Sequence, residues 1–391
     1  MSAEPLRVAT MITRLEGGAG VMALRGAKAL DPATHRVAVI TGSGRLLADA
    51  EAAGLEVIVE PALRAPISPG HDLLALHRLT ALLKRRRFDI VHTHCSKAGA
   101  VGRIAARRAG ADRIVHTYHG FPFHQFQSGL RRRGYVEIER VLGRITDLAL
   151  CVGTGVAVEA LRRGLIAPDR IRTIGVAVEH EVPMRTERTR QRARQELGLA
   201  PTDVVVGAVG RLTFQKSPED FVTALRLLDR PGVVGVWIGG GELTERMRAQ
   251  IAASGARVVL AGERDDVAKL LPAFDVFALP SRYEGLPLAV VEAMVCGVPV
   301  VATTVNAVSD VVAPGETGLL VPPRRPELLA AAVAHLLDSP DVADRLAATA
   351  RTRLDDRYRI ATLADALVGA YGTRSRKRVS KHPAQPVGDR R

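Results

Sequence analysis

The chain has 391 residues, 55 basic and 41 acidic, giving a formal net charge of +14. Its length suggests more than one hydrophobic core, and 47% hydrophobic with 25% charged residues is ordinary globular usage. No apolar run approaches the roughly 20 residues of a membrane span, no signal-peptide core opens the chain, and Cys95, Cys151 and Cys296 show no paired spacing. These features exclude spanning and disulfide-framework classes and predict a cytoplasmic protein with buried free thiols.

In chain order, apolar strands are predicted at Leu6–Thr13, Arg36–Thr41, Leu55–Glu60, Asp89–His92, Arg113–Thr117, Asp147–Val152 and Arg170–Ile174. Amphipathic helices such as Leu73–Arg87 and Arg131–Arg144 lie between most of them. Alternating strands and helices imply a parallel sheet covered on both faces. The first strand runs into Arg14-Leu15-Glu16-Gly17-Gly18-Ala19-Gly20 and then a helix. Glycines there let backbone amides approach an anion at the helix's positive end, although ordinary tight turns use the same residues. Gly42-Ser43-Gly44 and Gly153-Thr154-Gly155 lack a third glycine in place, so the dinucleotide fingerprint is not met.

In His92-Thr93-His94-Cys95, strand alternation puts both histidines on one face. No third ligand stands at zinc-site spacing, and the segment reads as a strand-end turn without metal. Thr117-Tyr118-His119-Gly120-Phe121 ends another strand. Phe121, Phe123 and Phe126 then precede Arg131-Arg132-Arg133. Two readings stay open: shallow insertion at a membrane interface, or packing beneath the following helix. Basic runs recur at Lys84-Arg85-Arg86-Arg87, Arg107-Arg108 and Arg162-Arg163 without a nucleic-acid motif. An anionic membrane surface or a phosphate-bearing acceptor suits them better than nucleic acid, and solvated helix faces are the plainer alternative.

Glu179–Thr189 is polar, contains Pro183 and is predicted to be a hinge; a second strand–helix series then runs from Val204 to Val321. Its first strand, Val204–Val209, leads into Gly210-Arg211-Leu212-Thr213-Phe214-Gln215-Lys216-Ser217. Gln215 stands where a phosphate loop needs its second glycine, which argues against a P-loop ATPase. Arg211 and Lys216 can still meet a diphosphate as a fork and a point charge. Between strands Phe274–Pro280 and Val298–Ala302, the run Glu284–Gly297 places two glutamates, Glu284 and Glu292, with seven residues between them. Carboxylates at the carboxyl edge of a parallel sheet suit sugar or ribose hydroxyls; an acidic first turn facing the helix dipole is the alternative. Helices are predicted near Pro326–Leu337, Val342–Leu354 and Arg359–Tyr371, and a disordered tail over Arg374–Arg391.

Together these pieces resemble retaining GT-B glycosyltransferases of the family 4 type. The matching order is Gly210-Arg211-Leu212 with Lys216, Ile238-Gly239-Gly240-Gly241-Glu242, and Val259-Leu260-Ala261-Gly262 with Asp265-Asp266. Ala278-Leu279-Pro280-Ser281 with the paired glutamates, Cys296-Gly297-Val298-Pro299-Val300-Val301 and Gly318-Leu319-Leu320-Val321-Pro322-Pro323 complete it. The resemblance implies an α/β protein of two facing, Rossmann-like, doubly wound parallel-sheet domains. Residues 1–180 would form the acceptor-side domain and 181–355 the nucleotide-sugar domain. Residues 356–372 would form a helix crossing back, and 373–391 a basic disordered tail.

By the same resemblance, His119, Glu284, Arg211 and Lys216 are the catalytic set. Donor contacts fall to Gly17, Gly18, Arg211, Lys216, Arg264, Gly285, Leu286, Leu288 and Glu292, the last on the ribose. Family members retain anomeric configuration by front-face displacement, with a diphosphate oxygen assisting acceptor deprotonation. The expected partners are a nucleoside-diphosphate sugar, UDP rather than GDP, and a saccharide or lipid-linked acceptor. No metal or cofactor is expected beyond the donor, and no Asp-x-Asp triplet is present. Ile67-Ser68-Pro69, Ser96-Lys97-Ala98-Gly99 and His119-Gly120-Phe121 resemble members acting in cell-surface polysaccharide assembly, at the inner face of the membrane. A secondary-metabolite acceptor, a non-hydrolysing UDP-sugar 2-epimerase and a basic scaffold are the alternatives. Val176-Ala177-Val178-Glu179, Asn306-Ala307 and Asp310 depart from the family pattern.

Overall fold

The computed structural model describes residues 4–178, 182–354 and 358–372; the expected tail lies outside them. Seven strands, β1 (Leu6–Arg14), β2 (His35–Ser43), β3 (Glu56–Val59), β4 (Ile90–His94), β5 (Arg113–Tyr118), β6 (Leu148–Cys151) and β7 (Ile171–Thr173), build the first sheet. Six more, β8 (Val204–Val209), β9 (Val233–Ile238), β10 (Val258–Gly262), β11 (Val276–Leu279), β12 (Val300–Thr303) and β13 (Leu319–Val321), build the second. Their orders are β3-β2-β1-β4-β5-β6-β7 and β10-β9-β8-β11-β12-β13, and every pairing is parallel. Each order reverses once, at β1/β4 and at β8/β11, and such reversals open a crevice beyond the strands' carboxyl ends. The fold is therefore two doubly wound α/β lobes, as the alternating strands and helices predict.

Interior strands are buried because helices cover both faces; β4, β6, β11 and β12 are buried at every position, the polar residues of β4 included. One device closes the opposite, amino-terminal edge three times. Asp89, Asp147 and Asp275 each precede a strand, and each carboxylate accepts the amide of the second residue of the neighbouring strand, Arg7, Ile114 and Val205, at 2.8, 2.7 and 2.7 Å. Asp275 also binds Arg185, Arg190 and Arg194, which fastens the helix Glu187–Glu196 under the second sheet.

Most element boundaries shift by one to four residues from expectation, and two of the shifts have a clear physical cause. The fourth strand starts one residue late and runs through His94, because Asp89 serves as the edge acceptor and both histidines join the ladder with β5. The polar hinge is shorter than Glu179–Thr189. Residues 179–181 lie outside the described chain, and Thr186 forms a capping box with Thr189 that starts a helix at Glu187. At the other end, the helix Ile360–Tyr371 returns to the first lobe. It buries Leu363, Leu367 and Tyr371, with Leu363 and Leu367 beside Gly26 of the helix Gly17–Ala29. Among the described residues no helix is long and apolar enough to cross a membrane.

Candidate functional site

The carboxyl edges of the two sheets meet. Beyond β5, the His119-Gly120 backbone packs on Gly285 beyond β11: a Cβ on Gly285 would fall 1.8 Å from the His119 carbonyl oxygen, so only glycine fits. Beyond β6, Gly153 and Gly155 abut residues 306–310 beyond β12, and the Asp310 carboxylate accepts the Thr154 and Gly155 amides. That places an anion from one lobe on the amino end of a helix in the other, Thr154–Arg162. Beyond β2, Arg45 bridges to Glu263 and Asp265 beyond β10, at 2.6 and 2.8 Å. Three contacts of this kind define one crevice, edged by His124, which stacks on Tyr283 with ring centroids 4.3 Å apart, and by Phe126 against Phe214.

The second lobe brings its charges together on the crevice floor. Lys216 Nζ donates to Glu284 Oε1 at 2.6 Å, although 68 residues separate them. Ser281 Oγ donates to the same oxygen at 2.5 Å, while Gln215 Nε2 reaches Oε2 at 3.4 Å and the Tyr283 carbonyl at 3.1 Å. The Glu284 amide donates to Asn306 Oδ1 at 3.2 Å. Glu284 is thus a buried carboxylate held by a cation and two neutral donors, which offsets the cost of removing its charge from water. Arg211 is exposed and makes no ion pair among the described residues. Its charge is felt at Tyr283 and at Cys95 of the facing lobe, which puts it over the crevice.

Other expected donor contacts are distributed around this floor. Leu286 packs near Gly153 and lines a cavity of about 390 Å³ shared with Thr154, Thr173 and Asp310. Leu288 is the first residue of the helix Leu288–Cys296, with Pro287 at its cap and so contributing no amide. Gly17 opens the helix Gly17–Ala29 at φ +63°, and a Cβ at Gly17 or Gly18 would meet nothing within 4 Å. Open space above two glycines at a helix start suits an approaching anion. Glu292 is buried on its helix and pairs with Arg25 of the first lobe at 3.3 Å. Arg264 forks onto Asp266 within its own loop, at 2.8 and 2.7 Å.

On the first lobe, half-buried His119 joins several buried rings, all of them uncharged. Desolvation by burial pushes His119 down to about 4 and His92 to about 3, and holds His94 and His116 well below the ordinary 6.5. His92 and His94 do share a face, as alternation predicts, but their nitrogens engage neighbouring side chains. His92 bonds Tyr371 Oη at 2.8 Å and Thr117 Oγ1 at 2.7 Å, and His94 Nδ1 bonds His119 Nε2 at 2.9 Å. The aromatic run also resolves: Phe121 and Phe123 stack with centroids 4.8 Å apart, Phe123 is buried, and Phe126 turns to the crevice rather than outward. The three thiols are free, and burial pushes each up to about 12.

Sequence reasoning missed Arg25, Ser281 and His94 as members of this constellation. Gln215 and Asn306 were visible only as departures from a pattern. Asn306 sits at φ +43°, a conformation asparagine tolerates better than most residues, and that is what aims its amide at Glu284.

Two doubly wound lobes whose carboxyl edges enclose a basic and acidic crevice define the GT-B class. Solved structures agree: the Anabaena protein HepE, in complex with UDP and glucose, superposes with a TM-score of 0.81 at 22% identity, over 93% of this chain and 98% of that one. WaaG, a glycosyltransferase involved in lipopolysaccharide biosynthesis, gives 0.76 at 19% identity, over 94% of this chain and 100% of that one. Family models for glycosyltransferase family 4 and for glycosyl transferases group 1 match residues 16–182 and 189–353. A D-inositol 3-phosphate glycosyltransferase of Saccharomonospora viridis is 31% identical over 73% of this chain and 70% of its own length. The chain belongs to the group 1 glycosyltransferases. An Escherichia coli UDP-Gal:alpha-D-GlcNAc-diphosphoundecaprenol alpha-1,3-galactosyltransferase is 34% identical, the match covering 63% of this chain and 65% of that enzyme.

Proposed function

We propose that the protein transfers a sugar from a nucleoside-diphosphate sugar, UDP-linked, to a hydroxyl of a saccharide or lipid-linked acceptor, with retention of anomeric configuration. The observation carrying this reading is the buried Lys216–Glu284 pair at the edge of one sheet, directly under the His119-Gly120 backbone of the other. The Lys216 ammonium and the Arg211 fork stabilise the departing diphosphate, assisted by amides around Gly285–Leu288 and at Gly17-Gly18. Glu292, paired with Arg25, accepts hydrogen bonds from the ribose hydroxyls, and Glu284 with His119 faces the donor sugar. Arg264 keeps a weaker assignment beside the base, since Asp266 already engages it. As the glycosidic C–O bond to the diphosphate breaks, the acceptor oxygen bonds the same carbon and its proton passes to a diphosphate oxygen. Charge neutralisation falls to side chains and amides, so no cofactor beyond the donor is assigned.

The acceptor side is argued from surface chemistry. The helix Gly129–Arg144 exposes Leu130, Ile138 and Val141 beside Arg131 and Arg133, a combination that suits an anionic membrane carrying a lipid-linked saccharide. The undecaprenol-linked acceptor in the galactosyltransferase's name supports the same class. Thermal-shift titration with UDP-galactose, UDP-glucose, UDP-N-acetylglucosamine and GDP-mannose tests the donor, because a ligand bound only by the native state raises apparent stability. Stabilisation by a UDP-sugar, then acceptor-dependent UDP release with an axial product linkage from an axial donor, is expected. Stabilisation by none, or epimerised donor without acceptor, overturns the proposal.

A further inference from the structure

The crevice histidine does not stand alone. His94 lies at the end of β4, and the β4–β5 register sets it opposite Thr117, two residues before His119. The two imidazoles meet edge to edge, His94 Nδ1 to His119 Nε2 at 2.9 Å. Each ring is neutral, because burial in this pocket disfavours the charged form. A neutral imidazole carries one N–H, so the bond holds one proton and fixes the identity of both rings. His94 Nε2 is buried and has no hydrogen-bond partner among the described residues. It lines a cavity of about 20 Å³ whose walls are mostly apolar, Met22, Val152 and Leu367 among them, with Thr10 and His92 as polar members. A buried N–H without an acceptor costs more than a bare acceptor in an apolar wall, so the His94 proton belongs on Nδ1, pointing at His119.

The platform beneath His94 is rigid. His92 stacks against it with centroids 4.2 Å apart, and both His92 nitrogens are tied, to Tyr371 of the returning helix and to Thr117. His119 Nδ1, by contrast, has no protein partner among the described residues.

We infer that His94 is a positioning residue: its Nδ1–H donates to Nε2 of His119 and holds that ring in the Nδ1–H form, so that the free edge of His119 presents a hydrogen-bond donor to an oxygen of the donor sugar. The role of His119 toward the sugar rests on the functional reading above; the proton placement does not. A neutral histidine side chain free in water favours the opposite tautomer, Nε2–H, so a protein-imposed form is detectable.

The test is 15N–1H correlation of histidine-labelled full-length protein, with His119 assigned through His119→Ala. Wild type is expected to show His119 protonated at Nδ1. His94→Asn, whose amide N–H2 overlays the imidazole Nδ1–H, keeps that state, and His94→Phe loses it. Turnover of the UDP-sugar should fall about tenfold in His94→Phe, the loss of one hydrogen bond, with KM for donor nearly unchanged and recovery in His94→Asn. His119 protonated at Nε2 in wild type overturns the inference without any variant needing to fold. A shifted tautomer in His94→Phe alongside full activity of His119→Ala leaves the positioning intact and removes the sugar-facing role instead.

Discussion

The two lobes share an architecture and hold their polar groups by opposite means. In the second lobe, charge is kept and countered: Lys216, Ser281 and Gln215 surround Glu284, and Arg25 reaches across to Glu292. In the first, charge is abolished: buried His92, His94 and His116 and half-buried His119 are neutral rings joined to hydroxyls and to one another. A diphosphate leaving group needs the former, since its developing charge must meet preorganised cations. A sugar carries no charge, and a neutral surface of oriented donors and acceptors is what recognises it.

The comparison breaks most easily where the lobes touch. Gly285→Val is expected to abolish turnover, because the side chain would have to occupy the position of the His119 carbonyl; small-angle scattering should show a more open molecule. Lys216→Ala should raise the dissociation constant for UDP about a hundredfold, since it removes a cation and leaves Glu284 buried without its counter-charge. Calorimetry giving wild-type affinity would contradict that assignment. His119→Ala should lower kcat by about a hundredfold with a much smaller effect on UDP binding, the opposite split.

Acid separates the lobes in another way. The histidine folded values lie below the unfolded 6.5, so the unfolded chain binds more protons as pH falls. Stability from these rings is fully present above about 6.5 and is lost progressively as pH drops toward 4. Arg103, which faces His116, opposes its protonation further. Denaturant melts at pH 7 and pH 5 should show the loss, and it should shrink in a His116→Gln variant. The smallest effect is expected from Asp310→Ala, about 1 kcal/mol for a cap on a helix start, read as a modest fall in melting temperature.

Much of this is legible in the amino-acid sequence. Strand alternation gave the sheets, and it gave His92 and His94 a common face. The basic and acidic segments of the second lobe were legible because each follows an apolar strand, and strand ends are where such sheets bind. What escaped was pairing over distance. Arg25 and Glu292 are separated by 267 positions and meet only because the lobes dock. His94 meets His119 through a register that alternation within one strand cannot supply. The same limit leaves Phe126 with two readings, since whether it faces outward depends on Phe214 and Tyr283, which lie far along the chain.

Tyr371 carries a consequence for how the molecule is made. Its hydroxyl completes the His92 pocket, yet it is synthesised after the whole of the second sheet. During translation the amino-terminal half therefore waits, with an unfilled polar socket and uncovered Leu-sized space, until the last helix emerges from the ribosome. Severing the lobes into separate polypeptides would leave that half permanently unfinished, and co-expression with a peptide covering Ile360–Tyr371 would be needed to complete it.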